Sequence, residues 1–161
     1  MIILFLYENQ ELQPERWDSD LLDKLWVIWY ILRMLNKKLT SSHLQGVITA
    51  LVTPFDKTKV NLVKFEELVQ KAVDAELCGI VPLGTTGESP ALSTDEQHAL
   101  IQRAIDAADG KLAVIVGTGT NNTKTTIENS RVAAQLGADA VLIVTPYYNK
   151  PTPAGLKRHF T

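Results

Sequence analysis

Ile80-Val81-Pro82-Leu83-Gly84-Thr85-Thr86-Gly87-Glu88 is an apolar run that stops at a glycine, two hydroxyls and a second glycine. It reads as a buried strand that delivers two threonines to its carboxyl end. In alternating strand and helix proteins that end is where ligands bind, because the loops there vary while the sheet beneath holds them rigidly. The functional centre of the chain is therefore expected at Thr85 and Thr86.

Working outward, the same pattern recurs from Gly46 onward: an apolar strand ends in Thr or Gly and a capped amphipathic helix follows. The predicted strands are Val47 to Val52, Gly79 to Leu83, Leu112 to Val116 and Ala140 to Val144, each nearly continuously apolar, as parallel strands covered on both faces require. Thr53, Thr85, Thr118 and Thr145 stand just past them, spaced by about 27 to 33 residues, the length of one strand and helix unit. Asn61 caps a helix with Leu62, Phe65, Leu68, Val69, Ala72 and Val73 on one face. Ser93 with Glu96 forms a capping-box pattern ahead of Leu100, Ile101, Ala104, Ile105 and Ala108. A third helix from about Thr123 to Leu136 stops at Gly137, and Pro151 and Pro153 precede a fourth.

This alternation predicts a parallel α/β architecture. A doubly wound sheet would usually carry a glycine-rich phosphate turn after its first strand, whereas the turn here is Thr53-Pro54-Phe55-Asp56. The TIM (β/α)8 barrel is favoured, with about four of its eight units present in residues 46–161.

Residues 1–45 differ in character. All three tryptophans (Trp17, Trp26, Trp29) are here, and no glycine occurs before Gly46. Asp20 to Leu35 could form a helix, apolar all round rather than in one stripe. The segment is expected to be an unrelated, mostly helical leader. Met1 to Tyr7 lacks the basic residues and cleavage site of an export signal. The apolar run Leu25 to Leu32 is too short to span a bilayer, which takes roughly 20 residues.

Bulk composition bounds the function. A 45% apolar, 21% charged chain of 161 residues suits one globular domain with a real core. A net charge of -2 and no basic stripe argue against nucleic acid as a partner, and nothing indicates a membrane partner. The single Cys78 fits a reducing, cytoplasmic compartment.

Three loops at the carboxyl ends of the strands carry chemistry. Gly84 to Glu88 offers two hydroxyls and backbone amides suited to holding a carboxylate or relaying a proton, or it is simply a threonine-rich turn. Gly117-Thr118-Gly119-Thr120-Asn121-Asn122 could bind an anion, although loops of this composition are commonly plain turns. Thr145-Pro146-Tyr147-Tyr148-Asn149-Lys150-Pro151 places adjacent tyrosines after a strand. In an extended segment one ring would face the site and its neighbour the outside, or both could merely pack.

These motifs carry a resemblance. Residues 46 to 160, with Thr53-Pro54-Phe55, Gly-Thr-Thr-Gly-Glu-Ser at 84–89, Gly-Thr-Gly at 117–119 and Thr-Pro-Tyr-Tyr-Asn-Lys-Pro at 145–151, resemble the first half of the dihydrodipicolinate synthase family. The resemblance implies a cytoplasmic lyase of the class I aldolase type that condenses pyruvate with aspartate semialdehyde on the way to diaminopimelate and lysine, works as a homo-oligomer and uses no metal or organic cofactor. By position in the motifs, Thr85 resembles a proton-relay threonine, Thr86 the residue that binds the pyruvate carboxylate, and Tyr148 a relay tyrosine reaching a neighbouring subunit's site. Tyr147 resembles an interface ring. Thr94, Gln97 and Thr125 stand where lysine-sensitive members tend to carry His, His and Glu, which counts against feedback inhibition.

Schiff-base chemistry needs a desolvated, neutral lysine, and every lysine here falls in a predicted loop, a helix or the leader. The resemblance implies that the Schiff-base lysine and a further relay tyrosine come from later strands, past Thr161. A fragment of this kind is expected to be inactive alone, with strands 47 to 52 and 140 to 144 left as open edges. Two alternatives stand beside this reading: a non-catalytic interaction module capped by residues 1–45, and part of a related pyruvate-dependent aldolase acting on a sugar acid.

Overall fold

The computed structural model describes residues 2–6, as backbone, and 44–161. Its strands are β1 (Ile2–Leu6), β2 (Ile48–Ala50), β3 (Phe55–Asp56), β4 (Lys59–Val60), β5 (Gly79–Val81), β6 (Ala113–Gly117) and β7 (Ala140–Val144). Its helices are α1 (Leu62–Asp74), α2 (Thr94–Ala108), α3 (Thr123–Leu136) and α4 (Pro153–Phe160). Two short 3-10 turns, Thr85–Gly87 and Ser89–Ala91, lie between β5 and α2.

The principal sheet has the order β1-β7-β6-β5-β2. β2, β5, β6 and β7 run parallel, with Thr49 opposite Ile80, Ile80 opposite Val114 and Val116 opposite Val141. Each helix returns the chain to the neighbouring position, so the sheet grows by one strand per unit, as in a barrel. Alternate side chains serve opposite faces. Ile80, Val114, Val116, Val141 and Ile143 pack with Phe65, Val69, Leu100, Ile101 and Ala104 of the helices. Ala113, Ile115 and Ala140 form a second buried cluster with Leu44, Ile48, Val81 and Leu142.

The helices begin where the capping residues place them. The Asn61 side chain accepts from the Lys64 N–H at 3.0 Å. At α2 the box is complete: Ser93 Oγ accepts from the Glu96 N–H, and the Glu96 carboxylate accepts from the Ser93 N–H at 2.9 Å. The backbone and side-chain hydrogen bonds from Ser93 hold the Glu96 carboxyl below its ordinary value. Gly137, at φ 101°, ends α3 in the left-handed conformation, and Thr152 caps α4 just before Pro153.

Two expectations are corrected. Within the segment expected as a leader, Ile2–Leu6 is a strand, antiparallel to β7 with Ile2 opposite Val144 and Leu6 opposite Ala140. The 140 to 144 edge is consequently paired rather than open, while β2 pairs only with β5 among the described residues. Lys59 does lie in a strand, the second arm of a two-residue hairpin turned by Lys57 at φ 57°. The predicted Asp20 to Leu35 helix lies outside the described residues. None of the described helices is long and apolar enough to cross a membrane.

His159 of α4 is buried, shares a 2.8 Å hydrogen bond between its Nδ1 and Thr123 Oγ1, and leaves Nε2 without a partner. Burial lowers its pKa from the ordinary 6.5. The unfolded chain then binds the proton more readily than the folded one, so this residue costs stability as pH falls below about 6.5. Urea midpoints should decline over that window, and the decline should flatten in His159→Asn. For the core, Leu100→Ala, at a fully buried position, should cost about 2–5 kcal/mol in urea unfolding. Ile127→Ala, on the exposed face of α3, should change stability by less than about 0.5 kcal/mol.

Candidate functional site

The three loops named above gather at the carboxyl ends of β5, β6 and β7. After β5 the chain passes through Leu83 at φ 58°, makes the Thr85–Gly87 turn and leaves through Glu88 at φ 53°. Two non-glycine residues in the left-handed region thus bracket the motif. Such backbone costs on the order of 1–3 kcal/mol per residue and persists only where its surroundings over-determine it.

Those surroundings are visible. The Gly87 N–H donates to the Gly84 carbonyl at 3.0 Å and the Glu88 N–H to the Thr85 carbonyl at 3.2 Å. From the β2 side, the buried Thr53 hydroxyl donates to the Gly87 carbonyl at 2.7 Å. From the β6 side, the Gly117 N–H donates to the Pro82 carbonyl at 2.9 Å. A Cβ at Gly117 would collide with the Leu83 carbonyl, so glycine permits this close approach. Gln97 of α2 donates to the Ser89 and Leu92 carbonyls at 3.0 and 3.3 Å and fixes the second turn. Thr85 and Thr86 themselves are exposed, two hydroxyls held on a braced turn.

The 117–122 loop uses its hydroxyls internally. Thr118 is buried with its Oγ1 2.9 Å from Ser130 Oγ. The Thr120 N–H donates to Thr126 Oγ1 at 2.9 Å, and Asn122 caps α3 through Thr125. These bonds fasten the loop to α3, so its threonine hydroxyls are spent on structure rather than offered to an anion.

In the third loop, Asn149 Nδ2 donates to the Asn121 carbonyl at 3.1 Å, which couples the second and third loops. The Asn149 N–H donates to the Tyr147 carbonyl at 2.9 Å, with Tyr148 between them at φ 68°. This is a γ-turn of positive central φ, a rare and strained form. The segment is therefore not extended, and the simple alternation expected of the two rings fails at Tyr148. Tyr147 is 46% and Tyr148 96% exposed. The structure does not bring the Tyr148 phenol into hydrogen bond with Thr85. Among the described residues there is no cluster of three or more His, Cys, Asp or Glu able to hold a metal ion.

Thr53 and Gln97 are the positioning residues that sequence reasoning passed over as such. Thr53 stood out only as one member of a recurring series, and the bond it makes spans 34 residues.

Residues 43–161 match the dihydrodipicolinate synthetase family. The chain belongs to that family. A 4-hydroxy-tetrahydrodipicolinate synthase of Thermotoga neapolitana is 47% identical over 116 residues, 72% of this chain and 40% of the relative. That of Methanococcus aeolicus is 47% identical over 118 residues, 73% of this chain and 41% of the relative. Among solved structures, the chloride-inhibited dihydrodipicolinate synthase of Acinetobacter baumannii complexed with pyruvate superposes with a TM-score of 0.71 at 43% identity, covering 73% of this chain and 40% of that one. The chain thus spans about 40% of the length of these family members. Their barrel accounts for the one-strand-per-unit sheet seen here.

Thr53→Val keeps the shape of the side chain but leaves the Gly87 carbonyl without its donor. It should lower stability by about 1–3 kcal/mol, and faster amide exchange at residues 84–88 should localise the loss.

Proposed function

We propose that residues 46–161 are the amino-terminal four β/α units of a dihydrodipicolinate synthase, the lyase that condenses pyruvate with aspartate 4-semialdehyde in diaminopimelate and lysine biosynthesis. The observation that carries the reading is the Gly84–Glu88 turn, strained at both ends and clamped from β2 and β6, which presents the Thr85 and Thr86 hydroxyls at the ligand-binding end of a barrel strand in a chain of this family. Thr86 would hold the pyruvate carboxylate and Thr85 would pass protons. Tyr148 would act as a relay across a subunit boundary, with Tyr147 in the interface. The exposure of both rings fits surfaces that a second copy covers, and the unpaired Cys78 thiol fits a cytoplasmic setting.

The reaction begins when a neutral lysine amine attacks the pyruvate ketone, loses water and leaves an imine whose enamine then attacks the aldehyde. A lysine can do this near neutral pH only if burial or a neighbouring cation lowers its proton affinity. Every lysine among the described residues is exposed, including Lys59 on its hairpin. Lys24, Lys37 and Lys38 precede the residues that match the family, and the relatives are much longer than the matched stretch; we therefore assign the nucleophile to that further part of the enzyme, and the chain by itself should not form the imine. Borohydride reduction in the presence of pyruvate, followed by mass spectrometry, should leave its mass unchanged. A pyruvyl adduct on any of its lysines would contradict the assignment.

A further inference from the structure

The parallel strands add in sequence order, β2, β5, β6, β7, each placed beside the last by the helix between them. α4 follows β7, and a right-handed crossover through it would set a further parallel strand on the outer edge of β7. That edge is already taken. Ile2–Leu6 runs along all five residues of β7, antiparallel, from Ile2 opposite Val144 to Leu6 opposite Ala140. Its sequence, Ile-Ile-Leu-Phe-Leu, is apolar at every position, the composition of a strand covered on both faces rather than one facing water on one side. The chain covers about 40% of the length of its relatives, and a barrel continued by the same crossover rule needs this same edge for pairing.

We infer that Ile2–Leu6 is an intramolecular substitute strand that occupies the β7 edge in place of a further barrel strand, so that the edge-paired form and a continued barrel exclude one another. The exclusion follows from occupancy, because β1 already pairs with the outward N–H and C=O groups of β7 that a further parallel strand would use. Filling the edge also removes a template for pairing with other chains. The inference rests on strand order and register, not on the proposed chemistry, and stands or falls separately from it.

Hydrogen exchange on the full chain tests it. In the unmodified protein the amides of residues 2–6 and the amides of Ala140–Val144 that face away from β6 should be protected together, independently of protein concentration. Leu4→Pro, which removes a donor and fits poorly within a paired strand, should abolish protection at both places while Leu100 and Ile101 in α2 keep theirs. Light scattering should then show concentration-dependent association through the vacated edge. Rapid exchange at residues 2–6 in the unmodified chain would overturn the inference. So would protection that appears only at high concentration, which would make the occupant a second copy. Unchanged protection of 140–144 in Leu4→Pro would equally overturn it.

Discussion

Parallel strands with apolar side chains on both faces must find two covers and two edge partners, and this requirement governs the molecule. α1, α2, α3 and α4 supply one cover, with Phe65, Val69, Leu100 and Ala104 closing over Ile80, Val114 and Val116. On the other face Ala113, Ile115 and Ala140 are buried around Leu44, Ile48, Val81 and Leu142. One edge is satisfied from the far end of the chain by β1. The rigidity needed at the carboxyl ends of the strands follows from this packing, since loops can hold strained backbone only above a sheet that does not yield.

The loops form a linked series rather than three separate turns. Thr53 fastens the loop after β2 to the turn after β5, and Gly117 brings the end of β6 against the same turn. Asn149 then joins the loop after β7 to the loop after β6. Within the series a division of labour emerges. Thr53, Thr118 and Thr126 are buried and bonded within the structure, whereas Thr85 and Thr86 face outward. The buried hydroxyls hold the backbone in place, and the exposed ones are those to which the proposed function gives a ligand.

Much of this was legible in the sequence because its signals are local. Asn61, the Ser93 and Glu96 pair, Gly137 and Pro153 mark helix ends through contacts within a few residues, and near-continuous apolar runs mark strands buried on two faces. The Gly-Thr-Thr-Gly run marked the turn that follows β5. What escaped depends on distance in sequence. The Thr53 to Gly87 bond joins neighbouring units, and a threonine after a strand looks the same whether it braces or binds. β1 pairs across most of the chain, so its apolar run was indistinguishable from a leader. The γ-turn at Tyr148 arises from the Asn149 contacts, and an extended pair of tyrosines was the default in their absence.

The central proposal is that Thr85 and Thr86 form the carboxylate-receiving part of a site whose nucleophile is not among the described residues. Its most direct test is a pyruvate titration of the full chain followed by backbone amide NMR. The account predicts reversible, fast-exchange shifts concentrated at residues 84–88, with no covalent species formed at any lysine. Shifts absent from 84–88 at millimolar pyruvate, or a slowly exchanging lysine imine, would contradict it.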